Sequence, residues 1–161
     1  MTLSLINSFF YIFSAAYSEI MLEHRLVLLL NICDGYAINE GENKSTKENI
    51  ISIFPKDNIK EIKQFVKERY GISNGIFYEM IYETRNELDH FVYKDKSAGN
   101  AIYTKKADIS LNLFLLYIIS TAFRASFLKS LCPDNSIITE IDSAQNKAMN
   151  KIMKWAEEVK K

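Results

Sequence analysis

The chain has 161 residues, 20 acidic and 20 basic side chains, and 48% apolar residues. That length suits one domain with an ordinary core, and the balanced charge excludes the global basic field that marks many nucleic-acid binders. With only five glycines and two prolines, composition favours helices over turn-rich β structure. The expected fold is all-α, a single domain over residues 1–161. It is an up-and-down bundle of four to five main helices, with short extra elements between 37 and 56.

Met1 to Ser18 contains no charged residue. It lacks a basic leading region, and Thr2, Ser4, Asn7, Ser8, Ser14 and Ser18 interrupt the apolar residues, which argues against a membrane anchor. Leu3, Ile6, Phe10, Phe13, Tyr17 and Ile20 instead recur at 3-4-3-4-3 spacing, the pattern of a packed helix. The chain therefore reads as soluble and cytoplasmic. The first helix is expected from about Thr2 to Asp34, with Gly35 as its C-cap. His24 continues the apolar stripe of Ile20, Val27 and Asn31 and reads as a core or interface histidine. Glu19 and Glu23 share a face. They read as a solvated or salt-bridged stripe, with metal ligation or a basic partner as the alternative. Cys33 and Cys132 stand 99 residues apart with no CxxC beside them. They read as buried reduced thiols, and no metal site, disulfide or cofactor is expected.

Ala37 to Lys47 is polar and glycine-containing and reads as a loop. Ser45-x-x-Glu48 has the form of a capping box opening a short helix through Ile50, Ile51, Ile53 and Phe54, before Pro55; a short strand is the competing reading. From Asp57 an amphipathic helix carries Ile59, Ile62, Phe65 and Val66 inward. Lys60, Lys63, Lys67 and Arg69 form an outward basic stripe, either solvated or in contact with a phosphate backbone. Gly71 stops it, and Ser73 or Asn74 caps a further helix from about Gly75 to Phe91, with Phe77, Met80, Ile81, Thr84, Leu88 and Phe91 facing the core. Asn86 and His90 are left on the other side.

The end of that helix reads Tyr82-Glu83-Thr84-Arg85-Asn86-Glu87-Leu88-Asp89-His90-Phe91. Asn86 and His90 are four residues apart and lie about 40° from one another around the axis, whereas Arg85 and His90 are roughly 140° apart. One helix cannot easily aim both at a single substrate atom, but two copies about a two-fold axis can. A bland arrangement is equally available, with Arg85 paired to Asp89 and His90 on the last carbonyls. His90 falls in the last turn, where the negative end of the helix dipole favours imidazolium, a state suited to a general acid.

Tyr93 to Lys106 then sets Lys94, Lys96, Lys105 and Lys106 against Asp95 alone. Tyr93 and Tyr103 are interleaved, so that bases can stack while ammonium groups hold phosphates; a solvated loop is the plainer reading. Ile109 to Leu131 is apolar almost all round and is expected to be buried on every side as the centre of the bundle, with a second protomer as a further cover for one face. After Pro133 a last helix is expected to pack through Ile141, Ala144, Ala148, Ile152, Trp155 and Val159 at heptad-like spacing.

Arg85-Asn86-x-x-x-His90 resembles the Arg-x(4–6)-His signature of the HEPN superfamily. The long apolar first helix with Glu19 and Glu23, the Tyr82-x-x-Arg85 lead-in, the loop and the apolar helix resemble the ApeA-like group, which is associated with abortive-infection antiphage defence. As architecture the resemblance covers roughly residues 1–131; as chemistry it covers Arg85, Asn86 and His90. It implies a metal-independent endoribonuclease, a toxin or effector that leaves 2′,3′-cyclic phosphate ends. His90 would move the proton, Arg85 would stabilise charge on the phosphoryl oxygens, and Asn86 would orient His90 or bind phosphate. It also implies a homodimer with a composite active site, an RNA substrate such as tRNA, and a trigger in an N-terminal sensor region or regulatory partner outside these residues. Two other readings stand beside it: a non-catalytic helical dimerisation or partner-binding module, and a regulatory domain of a nucleotidyltransferase pair, for which no transferase carboxylates are evident.

Overall fold

The computed structural model describes residues 22–41, 45–54, 58–90, 109–132 and 134–159, with the backbone alone described at 22–24, 39, 84, 86–90 and 109. Six α-helices account for nearly all of them: α1 (Leu22–Asn39), α2 (Thr46–Ser52), α3 (Ile59–Tyr70), α4 (Phe77–His90), α5 (Ile109–Leu131) and α6 (Asn135–Glu158). A 3₁₀ turn, Asn74–Ile76, leads into α4, and there is no strand among the described residues. The expected all-α bundle is what forms. Five helices are long, and the short α2 falls in the 37–56 region. Residues 2–21, where the first helix is expected to begin, lie outside the described residues.

Local signals fix several boundaries. At the start of α2 the Ser45 hydroxyl accepts from the Glu48 amide, and the Ser45 amide donates to the Glu48 carboxylate at 3.0 Å. This reciprocal cap is worth about 1 kcal/mol, and it decides for helix over strand. Gly71 ends α3 with φ +70, a conformation that costs other residues steric strain. The Asp134 side chain accepts from the Ser136 amide at 2.8 Å and opens α6. The Ser136 hydroxyl, which donates to the same oxygen at 2.7 Å, and then the amide hold its carboxyl below the usual range.

One expected boundary is wrong. Gly35 does not cap α1, which runs four residues further, and Ala37 and Ile38 are helical where a loop is expected. The reason lies in what Tyr36 touches. Its ring stands edge-on to Phe123 at 5.6 Å and to Phe127 at 6.1 Å, and its hydroxyl donates to the Ser126 carbonyl at 3.0 Å. Burying an aromatic side chain contributes roughly 1.5–3 kcal/mol, which outweighs the roughly 1 kcal/mol that an interior glycine costs a helix. The chain turns instead at Gly41, whose φ is +88.

The core runs between α1 and α5, closed by α3, α4 and one face of α6. Leu26, Leu29, Leu30 and Cys33 of α1 meet Phe114, Leu115, Ile118 and Ile119 of α5 in one apolar cluster that also takes Ile62, Val66, Phe77 and Met80. Cys33 is wholly buried, whereas Cys132 is half-buried, and neither is in a disulfide. Burial, and then the charge of Asp34, push the Cys33 thiol far above its ordinary range. Because only thiolate reacts, native protein is expected to give one thiol equivalent with a disulfide reagent at pH 8, from Cys132, and two in guanidinium chloride. Two equivalents from folded protein would contradict the packing of α1.

The last two helices form an antiparallel hairpin, pinned by the Lys129–Asp142 ion pair near its turn and by Tyr117 against Trp155 further along. Two expectations are met only in part within one chain. Helix α5 is not buried on every side: Tyr117 is 44% exposed and Leu128 47%. The stretch Ser110–Leu131 is long and apolar enough to cross a membrane, but 61% of its most apolar window is buried inside the bundle. In α6 the residues turned fully inward are Gln145, Met149 and Ala156, whereas Ala144 and Val159 of the expected stripe are exposed. The helix carries two apolar faces roughly 80° apart; the bundle fully buries the one less evident in the spacing, while Ile141, Ala148, Ile152 and Trp155 of the expected stripe are half-buried.

Candidate functional site

The Arg85–His90 segment is the last turn and a half of α4. The backbone stays helical through His90, so the Cα positions of Arg85 and His90 lie about 140° apart around the axis, and those of Asn86 and His90 about 40° apart. No unwinding of the described helix brings them together within one chain.

Arg85 is half-buried between α4 and α1, and its Nε donates to the Asn31 Oδ1 at 2.8 Å. This bond joins residues 54 apart in sequence. It occupies one of the five N–H donors of the guanidinium and orients the planar group as a whole. Asn31 appears in the sequence only as a polar residue four after Val27 on an apolar stripe. That mismatch is the signal that could have marked it. Val27 is buried and Asn31 half-buried, as the stripe requires.

Upstream on α4, Lys47 of α2 makes an ion pair with Glu79. Glu83, one turn before Glu87, is pushed above the usual carboxylate range by burial and by the neighbouring Glu79, with Lys47 opposing. The acidic face of α4 is thus partly neutralised by α2 before the chain reaches Arg85. The side chains of Asn86 and His90 and all of Tyr93, Lys94, Lys96, Tyr103, Lys105 and Lys106 lie outside the described residues, as do Glu19 and the side chains of Glu23 and His24. Among the described residues, no three His, Cys, Asp or Glu side chains gather in a way that could hold a metal ion.

The expected basic stripe on α3 is only partly a stripe. Lys60 and Lys67 are exposed. Lys63 instead lies over the Tyr78 ring, 4.0 Å from its centroid, and burial lowers its pKa. Arg69 reaches across to the end of α6, where its Nη2 donates to the Ala156 carbonyl at 2.7 Å. That carbonyl is in the last turn of α6, so Arg69 brings a positive charge to the negative end of the helix.

No family model, no curated protein and no solved structure matches the chain.

Proposed function

We propose that the chain is a metal-independent endoribonuclease of the HEPN type, a cytoplasmic effector that cleaves RNA in antiphage defence. The observation that carries this reading is the Arg85–Asn31 bond. It fixes a guanidinium between two helices, about a turn and a half before the histidine of an Arg-Asn-x-x-x-His segment. A surface arginine with no task is ordinarily solvated and mobile, because ordering its long side chain costs rotamer entropy.

In the proposed reaction the ribose 2′-hydroxyl loses its proton and its oxygen attacks the adjacent phosphorus. The bond from phosphorus to the 5′-oxygen breaks, leaving a 2′,3′-cyclic phosphate, and the departing 5′-oxygen takes up a proton. His90 serves one of these proton transfers. The guanidinium of Arg85 matches the charge that grows on the non-bridging oxygens, where a fixed donor fork needs no reorganisation. Asn86 orients His90 or bonds the phosphate. Since Arg85 and His90 diverge around α4, a second copy completes the site.

Incubation of the purified protein with total RNA and tRNA in EDTA tests this. Fragments ending in 2′,3′-cyclic phosphate are the expected product. Cleavage that appears only on addition of Mg²⁺ or Mn²⁺ would sink the mechanism.

A further inference from the structure

The hairpin of α5 and α6 presents a partly open outer face, where Tyr117 is exposed and Ile152 and Trp155 are half-buried with one side against the core. Tyr117 and Trp155 meet there edge to face, with centroids 5.7 Å apart and planes at 88°. Together with Lys151 and Ile152 they line a cleft of about 320 Å³, the lower end of the range for small-ligand clefts. The charge around it is one-sided although the whole chain is neutral. Helix α5 contains no acidic residue, and α6 contains none from Ser143 to Ala156, a stretch that holds Lys147, Lys151 and Lys154. Those three lysines are exposed and fall within about 60° of one another around the axis. Arg124 is exposed on the adjoining side of α5. Asp142 and Glu157 bound the basic stretch at its two ends, with Glu140 and Glu158 just beyond them.

We infer that this face binds single-stranded RNA, with a base stacked in the Tyr117–Trp155 cleft and the phosphates running along Lys147, Lys151 and Lys154. Aromatic rings flanked by cations are what a flexible polyanion with stackable bases requires. A second copy of the chain fits the face less well. Two α6 helices packed antiparallel through the stripe of Ala144, Ala148, Ile152 and Trp155 would centre near position 149. They would set Lys147 of each copy near Lys151 of the other, and like charges at such flanking positions oppose pairing. The inference borrows only the polymer from the proposed function. It would place a substrate strand on α6, apart from the cleavage motif on α4.

Trp155 is the one tryptophan of the chain, so its fluorescence reports the cleft directly. The probe is a 12-residue oligouridylate with 2′-O-methyl riboses, which cannot be cut by 2′-oxygen attack, so binding is read apart from cleavage. Saturable quenching of Trp155 is expected. Neutralising about four phosphates gives a log–log salt slope near −3, or roughly 50-fold weaker binding between 50 and 200 mM NaCl. Lys147→Glu with Lys151→Glu should abolish the salt-sensitive part with the helical circular dichroism unchanged. Loss of base stacking in Tyr117→Ala should weaken binding roughly 5- to 150-fold. Unquenched emission, or quenching indifferent to salt and to the lysine reversals, overturns the inference. So does a blue shift of Trp155 that grows with protein concentration without RNA, which would assign the face to a second copy. Quenching without any cleavage of unmodified RNA would keep this inference and reject the proposed nuclease.

Discussion

His90→Ala is expected to abolish release of cyclic-phosphate ends, lowering turnover by at least the roughly 10²–10⁴-fold that general acid–base catalysis supplies. Arg85→Ala should cost a comparable factor, because removing one donor aimed at developing charge typically costs about 10²–10³-fold. The two losses should not multiply, since residues that act on one phosphoryl group act as a unit. Asn31→Ala gives the sharper control. It leaves the guanidinium in place and removes its Nε anchor, so turnover should fall by less than in Arg85→Ala. Arg85→Lys should not restore activity, because an ammonium cannot both keep the Asn31 contact and present a planar fork to phosphate. Turnover of a labelled RNA under single-turnover conditions, with thermal melts of each variant, is the measurement. Full activity in His90→Ala would leave the motif as a polar cluster in a dimerisation or partner-binding module.

The largest loss of stability is expected at Phe114. Its side chain is wholly buried, with its ring 5.0 Å from Phe65 and 6.2 Å from Tyr70. Phe114→Ala removes the packing that joins α5 to α3 and leaves a cavity, at a cost of about 3–5 kcal/mol. Since domains of this size are stable by only about 5–15 kcal/mol, the variant should be marginally folded at 37 °C. On the same helix Leu128 is 47% exposed, and Leu128→Ala should fall within about 0.5 kcal/mol of the parent, as substitutions on open surface do. Urea unfolding followed by circular dichroism compares the two at equal slope. Equal costs would mean that the outer face of the hairpin is covered in solution.

What was legible in the sequence is what short-range chemistry dictates. The Ser45–Glu48 cap, the left-handed Gly71 and the apolar length of α5 each depend on residues within a few positions of one another, and their spacing states them outright. The Arg-Asn-x-x-x-His segment was legible for the same reason, as was the divergence of Arg85 and His90, which follows from helix geometry alone. Three features were decided only by tertiary structure. Helix α1 passes Gly35 because Tyr36 finds Phe123 and Phe127, which no local propensity records. Helix α6 has two apolar faces, and the register against α5 set by Lys129–Asp142 and Tyr117–Trp155 accompanies burial of Gln145, Met149 and Ala156. Its more regular stripe remains partly in solvent beside three lysines. Arg85 is anchored by Asn31, a partner 54 residues away that becomes its neighbour only when α1 and α4 pack. Spacing along a chain fixes which residues share a face of one helix. Which face meets which helix depends on the burial and hydrogen bonds gained between elements, and those exist only once the helices are packed.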